Sequence, residues 1–143
     1  MKSIINYIVE SQTNKKFTDV IIECDNNLLL LRRANYIKNF GGKWCLPGGH
    51  VDKNETSKTA ILRELAEETA IQLDNVNFLT TFIYNTGESC DVYYEILTNK
   101  PTIHISKEHA QYKWVPLNEI HTYKNKFAGE TYKLIEKYIE RNK

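Results

Sequence analysis

Apolar residues along the chain recur with two different rhythms. Phe17–Cys24 carries the β-branched residues Val20, Ile21 and Ile22, Asp25-Asn26-Asn27 has turn chemistry, and Leu28–Arg32 supplies four leucines in a row. This pattern predicts a β-hairpin over 17–33. A polar and aromatic stretch (Asn35–Phe40) ends at the Gly41-Gly42 break; Lys43–Leu46 predicts a short strand and Pro47-Gly48-Gly49 a turn. Thr56–Thr69 has neither proline nor glycine and is rich in Ala, Leu, Glu and Lys, so it predicts a helix. Val76–Tyr84 and Cys90–Thr98 predict strands around a turn at Asn85-Thr86-Gly87-Glu88. Tyr112–Val115 predicts another short strand, and Leu117–Tyr123 a helical turn. In Glu130–Arg141, Leu134, Ile135, Tyr138 and Ile139 recur at helical spacing, which predicts a closing amphipathic helix. Ile4, Ile5, Ile8 and Val9, within 1–16, fit either a helix or a strand. Strands then helix, twice over, predict an α/β fold with a mixed sheet covered by helices on its faces.

Composition narrows the class without naming an activity. The 143 residues suit one domain, 1–143, and the formal net charge of +1 speaks against a broad nucleic-acid or anionic-membrane surface. No apolar run approaches the ~20 residues that span a bilayer, and Asn6, Glu10 and Asn14 interrupt any signal-peptide pattern. Three scattered cysteines (Cys24, Cys45, Cys90) without a CxxC pair read as reduced thiols of a cytoplasmic protein. Neutrality is nevertheless a sum of patches: the segment 52–74 has six acids (Asp52, Glu55, Glu64, Glu67, Glu68, Asp74) against three bases (Lys53, Lys58, Arg63).

At about 100° per residue, Glu64, Glu67 and Glu68 share one helix face about 100° wide, while Ile61, Leu62 and Leu65 cluster on the flank. Such a face is either a solvated acidic surface or a site. Acids at i, i+3 and i+4 repel by a few tenths of a kcal/mol per pair. A bound divalent cation reverses that sign, and oxygen-only donors favour Mg²⁺ or Mn²⁺ over zinc.

The flanking residues are more specific. Gly49, Glu55 after five residues, Arg63-Glu64-Leu65 after seven more, then Glu67-Glu68 and Ile71 fill eight of nine specified positions of a known pattern. The segment resembles the Nudix box, G-x5-E-x7-R-E-U-x-E-E-x-G-U, where U is a bulky apolar residue. Leu46-Pro47-Gly48-Gly49 is similar to the family's lead-in, and Trp114-Val115-Pro116-Leu117 to its late strand exit. Ala70 departs from the pattern, standing where the family has the glycine that commonly caps a helix in the left-handed conformation. The resemblance covers about 17–139 and implies an α/β/α sandwich in which a loop-helix-loop carries a metal site.

That resemblance implies Mg²⁺, with Mn²⁺ as a substitute, held by Glu64, Glu67 and Glu68, with Gly48 and Gly49 letting backbone pass close to metal or phosphate. Arg63, four residues before Glu67, is expected to orient that carboxylate; Glu55 either assists the ligands or caps the helix. The cation would lower the pKa of its water, and a carboxylate would take the proton during attack on phosphorus. Glu64 and Glu67 are the box candidates for that chemistry and Glu108, before the late strand, an additional ligand or base. His109 is expected to be exposed and without special role.

For substrate contacts, Arg32 and Arg33 end the second strand and alternation turns one of them toward the cleft, where it could grip phosphates. Trp44 is the candidate to stack on a base, with Tyr36 and Phe40 as other aromatics before the box, two of the three being packing residues. Cys45 is expected to be buried.

The proline typical of ADP-ribose hydrolases is replaced by Thr86-Gly87, and the tyrosine of dinucleoside-polyphosphate enzymes by Glu88-Ser89. Gly129 stands where the oxidised-guanine specialist has an asparagine. The remaining resemblance, to the small MutT-like group, implies hydrolysis of a nucleoside triphosphate to monophosphate and pyrophosphate. The alternatives are a nucleotide-sugar or other nucleoside-diphosphate-X hydrolase, and a non-catalytic nucleotide-binding regulator. A small nucleotide is the expected partner, without membrane or long nucleic acid, and a homodimer is open.

Overall fold

A computed structural model describes residues 16–141. Its elements are β1 (Lys16–Cys24), β2 (Asn27–Arg33), β3 (Trp44–Cys45), β4 (Gly48–His50), α1 (Ser57–Thr69), β5 (Asn77–Ile83), β6 (Ser89–Leu97), β7 (His109–Pro116), a 3-10 helix (Leu117–Lys126) and α2 (Thr131–Glu140). Of the stretch 1–16, which fits either a helix or a strand by sequence, 1–15 lie outside the described residues and Lys16 opens β1.

The hairpin forms because Asp25 and Asn26 both accept positive φ (52° and 64°), and Asn27 Nδ2 donates to the Asp25 carbonyl at 2.8 Å. β1 and β2 pair only beside the turn, at Glu23 with Leu28 and Cys24 with Asn27. Beyond it they diverge, and two short strands fill the opening: β4 runs antiparallel to Phe17–Asp19 and β3 antiparallel to Leu31–Arg32. On their outer sides β1 pairs parallel with β6, β6 antiparallel with β5, and β2 antiparallel with β7. The result is a mixed seven-stranded sheet.

Strand alternation sorts the core into two layers. Val20, Ile22, Leu29 and Leu31 face Ile61 and Leu65 of α1, whereas Ile21, Leu28 and Leu30 face Leu134, Ile135 and Tyr138 of α2, with Ile120 of the 3-10 helix. The expected α/β/α sandwich is therefore observed.

One local expectation fails. Gly48 and Gly49 do not turn the chain; they lie in β4, paired with Asp19 and Thr18. Neither has positive φ, so left-handed freedom is not why glycine stands there. A Cβ on Gly48 would fall 1.9 Å from Asp19 Oδ1 and 2.3 Å from the Thr18 carbonyl oxygen. One on Gly49 would fall 2.7 Å from the Glu64 carboxylate. The absent side chains let a strand pass between a sheet acid and a helix acid.

Candidate active site

The wedge strand β4 lies against α1. Thr56 caps that helix, its hydroxyl accepting from Thr59 N at 3.1 Å, and Ile61 and Leu65 anchor the apolar flank on the sheet. This fixes the rotation of the acidic face toward β4. Ala70 ends the helix at φ 67°, with its N–H donating to the Ala66 carbonyl at 2.9 Å. The alanine thus keeps the left-handed exit that suits glycine, at a cost of about 1 kcal/mol.

The three box glutamates occupy different environments. Glu68 is buried and accepts a hydrogen bond from Gly48 N at 2.8 Å. Burial drives its pKa up to about 9, assisted by the charges of Glu64, Asp19 and Glu108 and only partly opposed by the Gly48 bond. Glu64 is half-buried and also shifted upward, by burial first, with the Glu67 and Glu108 charges adding and Arg63 opposing. Glu67 is exposed.

Arg63 ties the loop to the helix. Its Nη2 and Nε donate to Glu55 at 2.7 and 3.2 Å, its Nη1 to Glu64 at 3.0 Å and to Glu67 at 3.3 Å. Glu55, not Glu67, is its closest partner; the guanidinium bonds hold the Glu55 carboxyl below the usual range, helped by the Asp52 N–H. Of the two roles open to Glu55, helix capping therefore falls to Thr56, and Glu55 braces Arg63.

Asp19 escaped the sequence reading. It projects from β1 against Gly48, and burial, with the Glu64 charge adding and Cys90 opposing, pushes its carboxyl up to about 7. The signal was present: Asp19 is an acid set directly before Val20-Ile21-Ile22, the apolar run of β1. Glu108 is exposed, with its backbone carbonyl accepting from Ala34 N at 2.8 Å, and its charge bears on both Glu64 and Glu68. Asp19, Glu64, Glu68 and Glu108 thus share one electrostatic field.

Other candidates lie elsewhere. Trp44 is buried at 8% exposure, edge-on to Tyr123 with centroids 5.7 Å apart, so it is a core residue without a free face for a base. Tyr36 and Phe40 are the exposed aromatics, the reverse of the expected division. Arg33 Nε donates to the Asn39 carbonyl at 2.9 Å, and the Arg33 charge acts on Cys45 and His109. Arg32 stands across from Trp44 and Gln111, its Nε buried and, among the described residues, without a partner. His109 is buried rather than exposed, between Ser106 Oγ (3.2 Å) and Cys45 Sγ (3.9 Å); burial lowers its pKa, so the ring is neutral. Cys45 is pushed up to about 12, chiefly by burial, and is no nucleophile.

Among the described residues no group of three or more His, Cys, Asp or Glu side chains is placed so that it could by itself hold a metal ion. Glu64, Glu67 and Glu68 nonetheless suit a hard cation. Their donors are all oxygen, their charges repel, and Mg²⁺ ordinarily takes one or two carboxylates and completes its shell with water and phosphate.

A model of the NUDIX domain matches residues 15–138. The chain belongs to the Nudix family. A stretch of 53 residues is 47% identical to an ADP-ribose pyrophosphatase of Methanocaldococcus jannaschii, covering 37% of this chain and 30% of that protein. An 8-oxo-dGTP diphosphatase of Buchnera aphidicola is 27% identical over 107 residues, 73% of this chain and 82% of the relative. Among solved structures, a MutT protein from Methanosarcina mazei superposes with a TM-score of 0.76 at 26% identity, covering 90% of this chain and 95% of that one. The chain spans less than a third of the first relative's length, and the matches define the Nudix domain. No helix among the described residues is long and apolar enough to cross a membrane.

Proposed function

We propose that this Nudix domain hydrolyses a phosphoanhydride in a nucleoside diphosphate linked to another group, using Mg²⁺ or Mn²⁺. The observation that carries this reading is the arrangement around β4, where Asp19 and Glu64 crowd the two glycines, Glu68 accepts from Gly48 N, and the acids raise one another's pKa. Such an arrangement costs stability unless a cation joins it. Glu64, Glu67 and Glu68 would hold the ion together with Gly48, whose N–H fixes the Glu68 carboxylate. When bound, the ion supplies charge neutralisation and an acidified water.

The remaining steps belong to side chains. Arg63 holds Glu64 and Glu67 in orientation through bonds braced by Glu55. Glu108, exposed beside the cluster, accepts the proton of the attacking water or adds an oxygen ligand, and Glu64 and Glu67 are the alternatives within the helix. Arg32 is the better-placed phosphate contact of the arginine pair, because its Nε lacks a partner while that of Arg33 is engaged. Trp44 drops out of the substrate set.

A nucleoside triphosphate, cleaved to monophosphate and pyrophosphate, is the proposed substrate, supported by the 107-residue likeness to an 8-oxo-dGTP diphosphatase. The 47% identical stretch shared with an ADP-ribose pyrophosphatase favours a nucleoside-diphosphate-X compound as the second reading. A panel of nucleoside triphosphates, ADP-ribose and nucleotide sugars, assayed with Mg²⁺ and resolved by product analysis, decides between them. Pyrophosphate release is expected; two organic phosphates as products would install the second reading. Tight nucleotide binding without turnover of any panel member would replace both with a regulatory module.

A further inference from the structure

The two edges of the sheet are treated differently. At one edge, β7 (HAQYKWVP) carries Lys113 and ends in Pro116, the kinds of residue that discourage strand addition. At the other edge, β5 (NFLTTFI) has no charged residue and no proline along its length. Its inner side pairs with β6; its outer side has no strand partner among the described residues. Phe78 and Ile83 are 57% and 64% exposed there. Beyond the register irregularity between Phe78 and Thr80, this apolar strand edge offers unpaired N–H and C=O groups to another chain.

The pairing register indicates which chain. A shift between Phe78 and Thr80 places Phe78 opposite Tyr93, Thr81 opposite Asp91 and Ile83 opposite Ser89. All three partners are odd-numbered residues of β6, so Phe78, Thr81 and Ile83 share one face of the sheet. Laid antiparallel against itself about Thr81, and with Leu79 left out of the ladder by the shift, the strand brings Phe78 level with Ile83 of the second copy twice over. Thr81 then meets Thr81, and no charge is opposed by its like. This is the self-complementarity that a two-fold interface requires.

We propose that β5 is a homodimerisation edge, joining two copies of this chain through antiparallel β5–β5 pairing. The contact is short, so the dimer is weak and concentration-dependent. It does not depend on the hydrolase reading, and turnover is not its readout.

Sedimentation velocity on the full chain up to about 500 µM is expected to show a monomer–dimer equilibrium. Ile83→Lys, at an exposed position, should weaken it by at least roughly tenfold while leaving the circular dichroism spectrum unchanged. The double variant Phe78→Cys with Ile83→Cys should give a disulfide-linked dimer on mild oxidation, where each single variant gives little. A monomer at every concentration overturns the proposal, as does a dimer indifferent to Ile83→Lys. Hydrogen-exchange protection, in a monomer and independent of concentration, of those β5 amides that point away from β6 also overturns it by assigning the edge to another segment of the chain.

Discussion

Two buried acids, Asp91 and Glu68, lie on opposite sides of β1, and only one of them is satisfied. Asp91, on β6, is 7% exposed, yet Lys16 Nζ reaches it at 2.9 Å and the Thr81 hydroxyl at 2.7 Å. Burial pushes its carboxyl up, but bonds from Ser57, Lys16 and Thr81 outweigh it and leave the group below the ordinary range. Glu68, also 7% exposed, receives one backbone N–H and three neighbouring negative charges, and ends far above that range. Equal burial therefore has opposite consequences. A carboxylate with cationic and hydroxyl partners stays ionised and holds the fold together; one surrounded by acids and glycine backbone has, among the described residues, no cationic partner and holds its proton.

The sharpest way to break this comparison is to neutralise one acid of each kind. Glu68→Gln is expected to lower turnover by roughly 100-fold or more while leaving the melting temperature equal or higher, because without metal the carboxyl it replaces is held protonated and ionising it costs stability. If activity survives in Glu68→Gln and in Glu67→Gln alike, the metal assignment fails. Asp91→Ala should do the reverse, costing about 2 kcal/mol in denaturant unfolding with kcat nearly unchanged in the folded fraction.

Acid and base separate the two groups next. The folded pKa values of Asp19 (about 7) and Glu68 (about 9) lie above those of ordinary carboxyls, so the native state binds extra protons and loses stability as pH rises from about 4 toward 9. Thermal melts in EDTA should show that decline, and saturating Mg²⁺ should flatten it. Asp91 has the opposite sign: its contribution is present above the unfolded pKa and disappears as pH falls through its depressed folded value. A melting temperature that does not fall between pH 5 and 8 without metal would contradict the contrast.

The smallest effect tests a cost at the site end that is not electrostatic. Ala70 holds φ 67° at the helix exit, and Ala70→Gly should raise stability by about 1 kcal/mol without altering activity. A destabilised Ala70→Gly would mean that the alanine methyl contributes packing worth more than the backbone strain.

Much of this was legible in the sequence because it is local. The helix over Ser57–Thr69, its three-acid face and the hairpin turn at Asp25-Asn26 follow from periodicity and turn chemistry within a few residues. The two-layer core followed from strand alternation. What was illegible depends on residues far apart in the chain. Asp19 joins the carboxylates only because β4 docks on β1, and the same docking turns a Pro-Gly-Gly turn into a strand. Trp44 and His109 traded exposure for burial because the segments carrying Tyr123 and Ser106 fold over them. Pattern indicates which residues are apolar or charged, whereas tertiary neighbours decide which of them water reaches.

The parallel pairing of β1 with β6 also sets an order of assembly. Thr18 Oγ1 donates to the Asp91 carbonyl across 73 residues, and the wedge strand can settle only against a β1 already in position. On a ribosome adding about 5–20 residues per second, the first strand waits several seconds before its long-range neighbour emerges. Until then α1 and β4 have only β1 and β2 to close against, and the other side of β1 is bare. The complete sheet beneath the box thus comes late in the life of each new chain.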